Sequence, residues 1–177
     1  DPLGVIEAYR VVKRHIDCQL VLAGGGAADD PEGEKVLREV EGEAESDRDI
    51  HVLPLPSGSD LEINALQRAA AVVVQKSIKE GFGLTVSEAL WKGKPVVASA
   101  VGGMPLQINH GNTGLLSHSV EGAAYHIRKL LRDKEFAERL GRNGREHVRQ
   151  NFLLTRHLKD YLVLFLLAGH RQENLYL

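Results

Sequence analysis

Short runs that are apolar almost throughout recur along this chain, and three of them lead into glycine. Gln19 to Ala23 runs into Gly24-Gly25-Gly26, Ala71 to Gln75 precedes Gly81-Phe82-Gly83, and Pro95 to Ser99 precedes Gly102-Gly103. A strand with one wet face alternates polar and apolar residues. A strand apolar through its length is buried on both faces, as in a parallel sheet covered by helices. The stretches between the runs carry helical spacing instead: Val5, Ile6, Tyr9, Val12 and Ile16 in the first, and Val36, Leu37 and Val40 in a charged segment opened by Pro31. Right-handed crossovers then give an α/β chain with a Rossmann-like, doubly wound parallel sheet. Ligands of such sheets sit at the carboxyl ends of the strands. The loops at Gly24, Gly81 and Gly102 all follow strands and so fall on that edge.

Further along, Asp49 to Leu53 and Thr113 to Ser117 read as strands. Asp60 is placed to cap a helix running to Ala70, with Leu61, Ala65, Leu66 and Ala69 facing inward. A helix starts at Leu84, and a short one lies near Pro105 to Asn109. Val120 to Asp133, Lys134 to Asn151 and Leu154 to Ala168 read as closing helices. Residues 1–151 form the expected Rossmann-like unit, and residues 152–177 a terminal helix and tail.

The chemistry concentrates in Lys79-Glu80-Gly81-Phe82-Gly83-Leu84-Thr85-Val86-Ser87-Glu88. Strand, glycine turn and helix start together make an anion site, because backbone N–H groups at a helix N-terminus point at a phosphate. Glu80 falls in the turn and Glu88 about one helical turn into the helix. Carboxylates accept hydrogen bonds from paired hydroxyls, which suits a sugar or a ribose. Near a helix start the two would also serve the macrodipole as plain surface groups. Gly24 to Gly26 does not complete a dinucleotide fingerprint, because Asp29 stands where the third glycine belongs. That loop is either a plain turn or a pocket wall.

Bulk properties exclude other classes. The 177 residues are 43% hydrophobic and 26% charged, with a net charge of −2 and only 5% aromatics. Nucleic-acid binding calls for a basic footprint or a stacking platform, and neither is here. The single Cys18 rules out an internal disulfide framework and reads as a small buried or edge residue. The longest apolar run, Leu162 to Ala168, is too short to span a bilayer. With no signal peptide before Asp1, a cytoplasmic setting is expected. The His residues are scattered without metal spacing, and Asp29-Asp30 reads as a helix-leading pair, so no metal is expected.

Glu80 and Glu88 around Gly81-Phe82-Gly83, then Gly93-Lys94-Pro95-Val96-Val97-Ala98-Ser99, Gly102-Gly103 and Gly111-Asn112-Thr113-Gly114-Leu115-Leu116, resemble in order the motifs of retaining glycosyltransferases of family four. The resemblance is to the carboxyl-terminal, donor-binding domain of that family's GT-B fold and covers nearly the whole chain. Asp29-Asp30-Pro31-Glu32-Gly33, Glu62 to Arg68, Leu90 to Pro95 and Gln107 are similar to the subgroup of trehalose synthases that use a nucleoside-diphosphate glucose donor. Trehalose phosphorylases share some of these features.

What the resemblance implies is specific. Glu80 would face the donor sugar near the reacting centre and act in catalysis by positioning and stabilising. Glu88 would hold the ribose. Gly81, Phe82, Gly83, Leu84 and Thr85 would form the turn against the diphosphate. Gly24, Gly25 and the loop from Leu53 to Gly58 would line the nucleotide pocket, with Lys76 and Lys79 on the phosphate side. The donor is a nucleoside-diphosphate glucose and the acceptor a sugar; no cofactor is required. The implied partner is an amino-terminal Rossmann domain carrying the acceptor site, so this chain alone is expected not to turn over. The family's first strand, central between those at Gln19 and Ala71, has no counterpart after Asp1. A segment upstream of Asp1, or another segment, is expected to fill the slot. In the family the final helices pack toward the other domain, so Leu158, Tyr161, Leu162 and Phe165 are expected to lie exposed and to drive self-association. The competing readings are a trehalose phosphorylase and a nucleotide-sugar-binding module without transfer activity.

Overall fold

A computed structural model describes residues 1–25 and 31–173. Gly26, the Asp29-Asp30 pair and the end of the tail lie outside the described residues.

Helices and parallel strands alternate. The order is α1 (Pro2–Lys13), β1 (Leu20–Gly24), α2 (Pro31–Ala44), β2 (Ile50–Pro54), α3 (Asp60–Ala69), β3 (Val73–Gln75), α4 (Leu84–Trp91), β4 (Val96–Ser99), α5 (Met104–Gln107) and β5 (Leu115–Ser117). Three helices close the chain: α6 (Val120–Arg132), α7 (Lys134–Asn151) and α8 (Leu154–Glu173). Every strand pair is parallel. β1 pairs with β2 in the register Leu20 to Ile50, and β4 lies between β3 and β5 with Val73 opposite Val96 and Val97 opposite Leu115. Among the described residues no ladder joins β1 to β3, so the strands form a two-stranded and a three-stranded sheet.

The period of two along β4 sends its side chains into different cores. Val96 and Ala98 pack with Val86, Ala89 and Leu90 of α4 and with Met104, Ile108 and Val148. Val97, between them, packs on the opposite face with Leu115, Ala8, Val12, Ala123 and Leu140. All four residues of β4 are buried. That is the signature of a doubly wound sheet, as the apolar run predicts. Helix α1 spans the two sheets: Ala8 and Val12 join the cluster over β4 and β5, while Ile6 and Tyr9 join Val40 and Ile50 over β1 and β2. Leu90 and Leu140 are fully buried, a burial worth roughly 1.5–3 kcal/mol for each such side chain.

Helix α3 departs from expectation. Its N-cap is Ser59 and not Asp60; Ser59 makes no side-chain cap bond, and its hydroxyl donates to the Pro56 carbonyl at 2.8 Å. Leu61 is 80% exposed, and Ala65 and Ala69 are exposed as well; Leu66 is half-buried. The one buried residue of the helix is Gln67. Helix α8 is exposed from Leu154 to Gly169. No helix among the described residues is long and apolar enough to cross a membrane.

Candidate functional site

The loop from β3 to α4 is fixed on three sides. On the first, Gln75 at the end of β3 donates from Nε2 to Ser77 Oγ at 3.2 Å and to Glu80 Oε2 at 3.3 Å. The Ser77 N–H in turn donates to Ser99 Oγ of β4 at 3.1 Å, so the loop is tied to the neighbouring strand. Glu80 Oε1 accepts from the Gly81 N–H at 3.0 Å. On the second, the loop after β4 lies directly on the Glu80-Gly81 backbone. The Gly103 N–H donates to the Gly81 carbonyl at 2.6 Å, and a Cβ on Gly103 would sit 2.8 Å from that same oxygen. On the third, buried Gln107 donates from Nε2 to the Phe82 carbonyl, with Gly83 O at 3.4 Å.

Gly83 is the N-cap of α4. Its φ of 80° is left-handed, a conformation glycine adopts without steric cost, and no side chain caps the helix there. The N-terminus of α4 therefore carries backbone N–H groups with no side-chain cap. Leu84 is exposed and Thr85 half-buried beside it. Phe82 is half-exposed, its ring 5.8 Å from that of Phe152.

Glu88 lies one turn further along α4 and is exposed. Its Oε2 accepts from Gln67 Nε2 at 3.0 Å. Both residues line a cleft of about 470 Å³ between α3 and α4, with Asp60, Ile63, Asn64 and Lys92. Glu80 is not among its lining residues. Each carboxylate is thus held by a glutamine amide, and among the described residues neither forms an ion pair with a cation. A neutral amide orients a carboxylate while leaving its charge and most of its lone pairs for a ligand.

The remaining expected residues sit as follows. Lys76 is ion-paired with Asp1 at the start of α1, its side chain largely buried. Lys79 is exposed. Gly24 accepts through its carbonyl from the Leu55 N–H at 2.9 Å, and Gly25 packs against the Leu55 carbonyl, so that glycine loop abuts the loop after β2. Among the described residues, no group of three or more His, Cys, Asp or Glu side chains is arranged to hold a metal ion. The supporting amides of Gln67, Gln75 and Gln107 have no charge and no periodic signature. Gln107 and the segment from Glu62 to Arg68 stand out in the sequence only through the resemblance, and Gln75 not at all.

The family described as glycosyl transferases group 1 matches residues 2–147. The trehalose synthase of Rubrobacter xylanophilus is 53% identical over 167 residues, covering 93% of this chain and 40% of that protein. The trehalose synthase of Thermococcus litoralis is 49% identical over 166 residues, 90% of this chain and 39% of that protein. A trehalose phosphorylase of Pleurotus pulmonarius is 36% identical over 138 residues, 73% of this chain and 18% of its own length. Among solved structures, the sucrose-phosphate synthase of Thermosynechococcus elongatus superposes with a TM-score of 0.77 at 30% identity, over 96% of this chain and 44% of that one. The chain therefore spans about 40% of the length of the trehalose synthases it matches.

Proposed function

Since the chain belongs to the group 1 glycosyl transferases, we propose that it is the nucleotide-sugar-binding half of a retaining glucosyltransferase of the trehalose synthase kind. Its donor is a nucleoside-diphosphate glucose and its acceptor a second glucose. The observation that carries this reading is the pair Glu80 and Glu88, set on either side of the uncapped N-terminus of α4 and each oriented by a glutamine.

In this reading the diphosphate lies at the α4 N-terminus, against the backbone of Gly83, Leu84 and Thr85. The helix end and Lys79 stabilise the negative charge that builds on it. Glu88 takes the ribose hydroxyls, and Glu80 takes hydroxyls of the glucose. The bond from the anomeric carbon to the diphosphate oxygen breaks, and a bond to the acceptor oxygen forms on the same face. The acceptor proton passes to the departing phosphate. The reading needs neither a metal nor a cofactor. It assigns the acceptor site to an amino-terminal Rossmann domain, so turnover requires that partner. The lone Cys18 suits a reducing, cytoplasmic setting.

Calorimetric titration of the chain with UDP, ADP, their glucose conjugates and inorganic phosphate tests this reading. Saturable binding of one nucleotide and its glucose conjugate is the expected result and names the base. Binding of phosphate with no nucleotide binding moves the assignment to a phosphorylase, which has no ribose to hold. No binding to any of them removes the donor site from this chain.

A further inference from the structure

Gln67 is a polar residue where the fold would take an apolar one. It is only 7% exposed, on the face of α3 that lines the cleft shared with α4. Its Oε1 is buried with no hydrogen-bond partner among the described residues. An unsatisfied buried acceptor costs stability, and a leucine or methionine of similar size would fill the same space without that cost. What the amide provides in exchange is one contact, the Nε2 donation to Glu88 Oε2 at 3.0 Å. That bond also fixes which end of the amide is nitrogen, since the carboxylate can only accept.

We infer that Gln67 is a positioning residue: it holds the Glu88 carboxylate toward the cleft and thereby sets a preference for ribose over deoxyribose nucleotides. The inference rests on the reading of Glu88 as the ribose ligand. A free glutamate side chain on a helix surface samples several rotamers, and ordering it on binding costs affinity. Gln67 imposes that order before the ligand arrives. It occupies one lone pair of Oε2 and leaves Oε1 free to accept from one of the two adjacent hydroxyls. An arginine in its place would neutralise the carboxylate and compete for both oxygens. Lys92, the cation in the same cleft, approaches the Glu88 backbone carbonyl at 3.5 Å. The amide is therefore the group that sets the carboxylate's direction.

The test is the ratio of dissociation constants for UDP and 2′,3′-dideoxy-UDP, and for the corresponding adenine pair, in the chain and in Gln67→Met. The unsubstituted chain should prefer the ribonucleotide. Gln67→Met should lose about five- to tenfold in ribonucleotide affinity, the size of the cost of ordering one side chain on binding, while the dideoxy compound binds as before. In a Glu88→Gln background the same substitution should have no further effect. Gln67→Asn retains an amide one methylene short of the carboxylate and should lose the preference too, giving a second reading should the methionine variant fail to fold. Equal weakening of both nucleotides shows a purely structural role and overturns the inference. So does a ribose preference that survives in either variant. A chain that binds nucleotide without preferring ribose, or binds none, overturns the role of Glu88 itself and this inference with it.

Discussion

The α-carbon of Gly102 rests against the backbone carbonyl of Glu80, so closely that a β-carbon has no room, and the Gly102 φ of 56° lies in the left-handed region. The loop after β4 therefore acts as the floor on which the loop after β3 is laid. Gly102→Ala meets both obstacles at once, a backbone clash and a strained φ. It should destabilise the chain by about 1–3 kcal/mol and displace Glu80. Gly81→Ala is the contrasting case, since its β-carbon would point into open space and its φ is not positive. It should cost within about 0.5 kcal/mol. Thermal unfolding of the two variants, read beside nucleotide affinity, checks this; equal costs would refute the packing role of Gly102.

Glu88→Ala removes the carboxylate but leaves α4 intact, because alanine is the best helix former. Nucleotide affinity should fall by about 1.5–3 kcal/mol, the loss of charged hydrogen bonds to the ribose. Affinity for inorganic phosphate should stay as it was. Unchanged nucleotide affinity would take the ribose from Glu88.

Glu80→Gln keeps the side chain's shape while removing its charge. The amide still accepts through Oε1 from the Gly81 N–H, and the loop should hold its form once the Gln75 amide turns to accept from the new Nε2. Donor binding should stay within a few-fold. In an enzyme completed by an amino-terminal domain, transfer should fall by about 10²–10³-fold, the scale of losing one preorganised electrostatic group. Retained turnover would show that Glu80 does not act on the reacting sugar.

His126 gives the chain a pH dependence of known sign. Burial, the neighbouring His110 ring at 5.4 Å and the Lys129 charge all push its pKa below the ordinary 6.5, against a hydrogen bond donated by the ring to the Leu116 backbone that raises it. The unfolded chain takes up this proton near the ordinary value, whereas the folded chain resists until lower pH. Between the two, the unfolded state binds more protons, so stability is fully present above the ordinary value and is lost as pH falls through the folded one. The unfolding midpoint should drop between about pH 7 and pH 5, and His126→Phe should flatten that slope. A slope unchanged in the variant would remove His126 from the effect.

The strands are legible in the sequence because burial on both faces writes a continuous apolar run, as in Val96 to Ser99, where all four side chains are buried. The glycine loops are legible because close backbone contact excludes a β-carbon. Helix α3 is less so. Its apolar residues repeat at helical spacing, but their count cannot say which side faces in when the buried position is Gln67. Leu61, expected inside, is 80% exposed for that reason. In the candidate site the two carboxylates stand out by spacing, whereas the amides that orient them do not. Lys76 reads as a phosphate-side cation in sequence, and nothing local reveals that Asp1 pairs with it across 75 positions. The division between β1 and β3 is a fact of pairing that strand propensity does not encode; only the resemblance marks a slot there.

Helix α8 presents Leu158, Tyr161, Leu162 and Phe165 at i, i+3, i+4 and i+7, all between 47% and 63% exposed. Tyr161 meets His157 edge-on at 4.7 Å and Phe165 at a tilt at 5.9 Å, so the rings follow one another along the stripe. A continuous apolar stripe of this kind in water lowers its free energy by meeting a second surface. In a solution of this chain alone, the surface at hand is the same stripe on another copy. Light scattering should therefore show a mass above that of one chain, falling with dilution. Leu158→Glu with Phe165→Glu places two charges in the stripe and should return the chain to a monomer. Nucleotide affinity should not change, because neither residue lines the cleft beside Glu88. A monomer at all concentrations before substitution would show that the stripe does not bring copies together.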